Sequence, residues 1–509
     1  MKKIVIILSF TCFIYFPEYA QPIIEWEKKV NFGYQDNLLD FIQLVDGSFL
    51  GIGSTALNFQ DKVYDYSCYK FDCRGNITWV KKFPDRIFNF ESLQIDSLGS
   101  NKLAIYGEKI KDTTYRSTGF ITIIDTAGKI LKTKEFSGNG YVTIKKIILN
   151  DDETLTVLVN STASDGIFQG NKGFHDIWLW KMDRDLNIIF KQNFGGPSID
   201  FAGSIIKLKD GNYILAGGTS SRDGDFKAVY SGGDAFVAKL NRNFDILWST
   251  TFGGNRYESV NDVIEMPDRS FIVSGYTDSY DGAFQGQPKG FYSDAFVARI
   301  NPSGSVSWVK GLGADRVRNP QYVIWAPTLI PIDSNSFLVN TNGKTDEGLL
   351  NNKFSVTWLL KMNTLGETIW KKNYGNSKLL YTYKSNKIKQ LSDKSFLLVG
   401  ESEDSGSVGK DFWLLKLSPL EPDKTDECSK LVLYPNPTAK DLKIKTSAYF
   451  LPNASVKVID VLGRNIFSGV IGKGCQEFNV ALPNSISTGM YFLKVEDIKK
   501  CVLPFFKAN

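Results

Sequence analysis

"IIEWEKKVNFG" (23–33) decides how this chain folds. The same phrase returns as "DILWSTTFGG" (245–254) and "ETIWKKNYG" (367–375), and in both later copies it closes a longer repeat. At 23–33 the opening parts of that repeat are missing. The chain therefore carries a closing segment ahead of its first full unit, as a ring does when its first segment completes its last.

Two neighbouring units are explicit. One is "FGGPSIDFAGSIIKLKDGNYILAGGTSSRDGDFKAVYSGGDAFVAKLNRNFDILW" (194–248) and the next runs from Phe252 to Trp308. Each holds four apolar or alternating runs of about five residues, the length of a strand and too short for a helix. In the first unit these are "SIIKL", "YILAGG", "AFVAKL" and "DILW". Asp210-Gly211 separates the first two runs, as a tight hairpin needs. The closing position can be followed through Trp26, Trp79, Leu131, Phe190, Trp248, Trp308 and Trp370. The hairpin position follows through Asp46, Gly99, Asp152, Asp210, Asp268, Asp333 and Asp393. Both series have seven members. The last unit stops at "DFWLLKL" (411–417) without a closing strand, which "IIEWEKKV" can supply. The fold class is all-β: a seven-bladed β-propeller over 21–417, closed by its N-terminal strand, so that no raw sheet edge remains. A small C-terminal β-sandwich follows.

The repeats resemble those of bacterial seven-bladed propeller proteins of the "GGxxxD…DGNxYxxG…DAFVAKLdpsG" type. The likeness is good over about 190–310 and weaker elsewhere. It implies the fold and no single activity.

Residues 1–20 read as a signal peptide: Lys2 and Lys3, an apolar core "IVIILSFTCFIYF" (4–16), and a small residue, Ala20, before the cleavage point. An uncleaved anchor is the alternative. No later stretch is apolar enough to span a membrane. From Cys428 onward eleven Lys and Arg face five Asp and Glu, net +6, which leaves 21–427 near −2. The propeller is thus no basic nucleic-acid binder. The six Cys, one of them in the leader, are no disulfide framework. Cys68 and Cys73 read as sharing one strand, too far apart along it to bridge, and Cys475 with Cys501 is a candidate pair.

After a polar linker (418–430), residues 431–509 break into short strands separated by Pro, Asn and Gly. This segment resembles the type A C-terminal sorting domain of the Bacteroidetes type IX secretion system. The marks are Tyr434-Pro435-Asn436-Pro437, "VIDVLGR" (458–464) with Gly463, Leu482, and Gly489-Met490-Tyr491. The Cys475 and Cys501 pair departs from the pattern. The resemblance implies the type IX machinery as partner, export through the periplasm and outer membrane, and a secreted or surface-attached product. In that family the tail is typically removed.

Catalytic motifs are thin. The only His is His175, which reads as an exposed turn residue and removes most His-dependent chemistry. No organic cofactor motif is visible. Asp165, Asp223 and Asp281 recur 58 residues apart, and Asp176, Asp234 and Asp294 precede the third strand of the same units. Their main reading is turn-capping acceptors, with Ca²⁺ between the two Asp-bearing ends as the alternative. "ADRVRNPQYVIWAPTLIP" (314–331) breaks the repeat and reads first as a plain insertion, with Arg316, Arg318, Tyr322 and Trp325 offered to a glycan or protein ligand as the functional alternative. The expected role is a non-catalytic binding ring displayed outside the cell. The rival is a secreted polysaccharide-active enzyme using paired carboxylates in the central funnel.

Overall fold

The computed structural model describes residues 21–33, 35–56, 64–87, 93–99, 101–110, 116–286, 294–312, 325–344, 355–374, 382–403, 409–420, 431–434, 438, 441–446, 454–461, 464–471, 477–483, 486–495 and 501–508. The leader (1–20), most of the linker, Arg316, Arg318, Tyr322, the side chain of Trp325, Pro435, Asn436, Pro437 and Gly463 lie outside these residues.

Each repeat folds into a four-stranded antiparallel sheet, and seven such sheets form among the described residues. We number them as blades I to VII. In blade IV the strands are Asp200–Lys207, Tyr213–Thr219, Asp234–Leu240 and Ile246–Phe252. The second strand is buried at every residue, while the fourth alternates between exposed and half-buried positions. Continuous apolar runs thus mark strands covered on both faces, and alternation marks the rim.

The turn between first and second strands follows one recipe. Asp46, Asp152, Asp210, Asp268, Asp333 and Asp393 each accept the backbone N–H two residues on. The residue after the Asp has positive φ in most blades, through Gly47 and Gly211 but also through Glu153, Arg269 and Lys394. The hydrogen bonds of the turn thus hold a left-handed conformation even without glycine.

Apolar cores lie between blades. Ile52 and Tyr66 of blade I meet Ile105 and Phe120 of blade II. Phe41 and Tyr69 of blade I meet Val399 and Phe412 of blade VII. The first strands of all seven blades neighbour one another in an unbroken cycle, so they surround the central axis of a β-propeller.

Strand Ile24–Val30 is the outer strand of blade VII. It pairs antiparallel with Asp411–Leu417, from Trp26 opposite Lys416 to Val30 opposite Phe412. Lys416 forms an ion pair with Glu25 at 3.0 Å, and the Trp413 indole N–H donates to Glu27 at 2.8 Å. Beyond the strand, Phe32 packs its ring against Tyr69 of blade I and Phe412 of blade VII. The "EWEKKVNF" stretch thus touches both ends of the repeat series.

The chain divides into two compact units, one of them Ile23–Ser418. In the other, strands Leu431–Tyr434, Asp441–Thr446 and Glu477–Ala481 form one sheet. Strands Ala454–Asp460, Asn465–Ile471, Gly489–Val495 and Cys501–Lys507 form a second. Leu442, Val456, Val458, Val480, Leu493 and Phe505 share one apolar core.

Candidate functional site

The inner strands carry a feature with no repeated letter in the sequence. In six blades the pairing of first and second strands slips, and a bulge forms. The residue after the slip is Asp40, Lys146, Ser204, Asp262, Thr328 or Lys387, and Gln94 holds the matching register in blade II. All are polar. The next residues are Phe41, Ile147, Ile205, Val263, Leu329 and Ile388, all apolar and all buried. A bulge bends its strand and re-aims side chains. Here it sets a polar residue at the same register of six inner strands. Gly53, Gly217 and Gly275 lie opposite the bulge, where an added Cβ would come within 2.6, 2.0 and 2.0 Å of a backbone oxygen.

The acids of this ring are tied down. Asp40 accepts N–H bonds from Phe41 at 2.8 Å and from Ile95 of blade II at 3.2 Å, and pairs with Lys389 at 2.7 Å. Asp262 repeats the device, accepting from Val263 and from Leu329 of blade VI, both at 2.9 Å. Asp96 takes Lys146 at 2.9 Å. Burial opposes ionisation of Asp40, but the Lys389 and Lys387 charges and its hydrogen bonds leave its pKa below the usual carboxylate range. Burial dominates at Asp262 and raises its pKa, with Lys387 and the two N–H donors offsetting only part. Burial also lowers the Lys389 pKa, against the pull of Asp40. The lysines stay partly open to solvent, with Lys146 34% and Lys389 30% exposed.

Above this ring, where first strands begin, blades III to V present a ladder of aromatic rings. His175 meets Phe201 with centroids 6.4 Å apart, Phe201 lies nearly parallel to Tyr257 at 6.1 Å, and Tyr257 meets Tyr276 at 5.9 Å. All four are half-buried, and Phe174 and Ile199 stand exposed beside them. Burial lowers the His175 pKa, as does the charge of Lys145, so its ring is neutral at neutral pH. His175 is therefore no exposed turn residue. Its Nδ1 lies 3.3 Å from the Asp200 carbonyl.

Buried acids anchor this rim. Asp200 accepts from Gly196 N–H at 2.8 Å and Ser221 Oγ at 2.6 Å. Glu258 accepts from Gly254 N–H at 2.7 Å and Thr277 Oγ1 at 2.8 Å. Asp36 accepts from Phe32 and Gly33. The repeated "FGG" turn thus docks on the acid that opens the next blade.

The recurring aspartates are separated by function. Asp165 accepts the Asn139 N–H and Asp281 the Asn255 N–H, each at 2.8 Å, in the turn leading into their own blade. The Asp223 carbonyl covers Gly196, and the neighbouring Asp225 carboxylate takes the Gly195 N–H. Asp176 and Asp234 begin the third strands and accept backbone N–H groups of the preceding loop, Lys172 and Gly173 for one, Val229 and Tyr230 for the other. Asp294 opens the third strand of blade V. Among the described residues no group of three or more His, Cys, Asp or Glu is placed to hold a metal. Strand Trp325–Pro331 is the inner strand of blade VI, so the second half of the expected insertion is part of the ring. Cys68 is buried in its strand, whereas Cys73 lies beyond it in the turn, and both thiols are free.

In the C-terminal unit Tyr434 ends the first strand, and Gly489 opens the strand that carries Tyr491. The Tyr491 hydroxyl donates to the Ser487 carbonyl at 2.9 Å, and its ring stacks on Phe505. Residues 432–503 match the family model described as "Secretion system C-terminal sorting domain". Over these residues the tail is similar to that sorting-domain family. No curated protein matches the chain. Among solved structures, it is similar to PorZ, described as an essential bacterial surface component of the type-IX secretion system of Porphyromonas gingivalis. That match has 13% identity and a TM-score of 0.39, over 92% of this chain and 59% of PorZ. The chain thus spans less than two thirds of PorZ. The α-L-arabinofuranosidase Arb93A of Fusarium graminearum aligns at 12% identity and a TM-score of 0.41, over 68% of this chain and 98% of the enzyme. The Penicillium chrysogenum α-L-arabinanase aligns at 9% identity and a TM-score of 0.41, over 79% and 99%. At these values none of the three bears on activity or ligand. Among the described residues no helix is long and apolar enough to cross a membrane.

Proposed function

We propose that this protein is a non-catalytic glycan-binding ring, exported by the type IX secretion machinery and released or displayed at the cell surface. The sorting domain at 432–503 supports the export half. The observation that carries the non-catalytic half is the way the channel acids are used. Both oxygens of Asp40 and of Asp262 accept backbone N–H bonds, and in each case one donor belongs to the next blade. Such carboxylates clamp inner strands together. A glycosidase pair instead needs one acid free to give a proton and one carboxylate free to face the sugar or a water, about 5–10 Å apart. Binding falls to the rim, where His175, Phe201, Tyr257 and Tyr276 offer ring faces to the apolar face of a sugar.

One observation favours the rival enzyme. Asp40 and Asp262 have pKa values pushed apart, down for one and up for the other, as in an acid–base pair. The deciding experiment runs a glycan array beside a reducing-sugar release assay on the purified protein and on Phe201→Ala. Binding that weakens in Phe201→Ala, with no sugar released, is the expected result. Release that disappears in Asp262→Asn would establish the enzyme. For export, removal of 432–503 is expected to leave the protein inside the cell envelope; unchanged delivery to the medium or surface would refute it.

A further inference from the structure

Lys145, Lys146, Lys387 and Lys389, whose charges act on the inner-strand residues, are not equivalent. Lys389 and Lys146 have carboxylate partners, Asp40 and Asp96. Lys387 acts on both Asp40 and Asp262. Lys145 differs. It is the bulged residue of blade III, between Ile144 and Lys146. Among the described residues no carboxylate stands in ion-pairing range of its ammonium. Glu108 acts on it only from farther away and is itself hydrogen-bonded by Thr143 at 2.5 Å. Burial pulls the Lys145 pKa below the usual lysine range, Glu108 offsets part of this, and the Lys387 charge adds to it.

The position of Lys145 matters as much as its charge. Thr143 and Phe201 occupy the same register in blades III and IV, since each lies one residue before the position that precedes the bulge. Lys145 is two residues deeper, about 6–7 Å along an extended strand. Its charge reaches His175 at the rim and Lys387 in the ring. Among the described residues Lys145 thus has no ion-pair partner, and it lies two residues deeper along its strand than the register that Phe201 occupies in the ladder.

We infer that the mouth of the channel takes an acidic saccharide, with its ring face on Phe201 and Tyr257 and its carboxylate or sulfate on Lys145. This rests on the glycan-binding reading above and narrows it to anionic sugars. Carboxylate and sulfate share the chemistry that Lys145 recognises, and the probes separate them.

The test is calorimetric titration of the full-length purified protein with oligogalacturonate, with a sulfated galactan oligosaccharide that lacks carboxylates, and with a neutral galacto-oligosaccharide. Expected is binding of at least one charged probe, weakened about tenfold or more in Lys145→Met and restored in Lys145→Arg. Lys207→Met should bind as the parent does, because Lys207 ends the blade IV inner strand and pairs with Asp151. Thermal melting of each variant checks the fold. Equal binding of neutral and charged probes would overturn the acidic preference while keeping the glycan reading. Loss of binding to the same extent in Lys207→Met would overturn the Lys145 assignment. No heat with any saccharide, together with a silent array, would overturn the glycan reading beneath it.

Discussion

Glu258→Gln isolates the latch between the "FGG" turn and the following blade. Glu258 is fully buried at the start of strand Glu258–Glu265 and receives Gly254 N–H, Thr277 Oγ1 and, at 3.3 Å, Ser279 N–H. Burial outweighs these donors and raises its pKa from 4.5 to about 6. An acid whose folded pKa exceeds its unfolded value binds more protons folded than unfolded between the two. Its contribution to stability is therefore greatest below about pH 4.5 and declines as pH rises through about 6. At 1.36 kcal/mol per unit, the decline is roughly 2 kcal/mol. Glutamine cannot ionise, so the variant lacks this slope. It also sets an amide N–H₂ among backbone donors, which costs about 1–3 kcal/mol at every pH. The assay is denaturant unfolding of parent and variant at half-unit steps from pH 4 to 8, followed by subtraction. Titration of His175 and other groups largely cancels in the difference. The parent should lose roughly 2 kcal/mol relative to the variant between pH 4 and 7. A difference that stays level, or that rises with pH, would refute the buried-latch account.

Two further outcomes follow from the packing. Removal of residues 21–33 takes away the outer strand of blade VII, the Glu25–Lys416 pair and the Phe32 contacts, and should lower the melting temperature by on the order of 10 °C; a melting point within a degree or two of the parent would contradict the role of this strand. Asp262→Ala leaves the Val263 and Leu329 N–H groups without their acceptor and should cost about 2–4 kcal/mol in unfolding experiments, with saccharide affinity changed less than in Lys145→Met; a neutral effect on stability would remove the clamp reading.

The blades were legible where one residue type serves one task. Asp210-Gly211 and its counterparts mark the turn because Asp must accept an N–H and the next residue must take positive φ. Trp248 and its counterparts mark the rim strand. The inner ring was not legible, because Asp40, Gln94, Lys146, Ser204, Asp262, Thr328 and Lys387 share only polarity and position. A bulge adds one residue and shifts the register that alternation would otherwise reveal. One sign was present: Gly53, Gly217 and Gly275 recur in second strands because the bulged strand presses against them. The recurring aspartates read as turn acceptors because they repeat, and Asp165, Asp176, Asp234 and Asp281 do accept backbone N–H groups, while Oδ1 of Asp176 and of Asp234 is buried without a hydrogen-bond partner. The rim ladder mixes His, Phe and Tyr from non-equivalent positions, so no spacing rule links His175 to Phe201 or Tyr257.

The most direct test is hydrogen–deuterium exchange of the full-length protein with and without the strongest saccharide from the array. Protection should appear in the segments around His175, Ser198–Phe201 and Arg256–Ser259, with little change at the hairpin turns of the opposite end near Asp46, Asp210 and Asp268. Protection confined to those turns or to the sorting domain would contradict a binding site at the mouth of the channel.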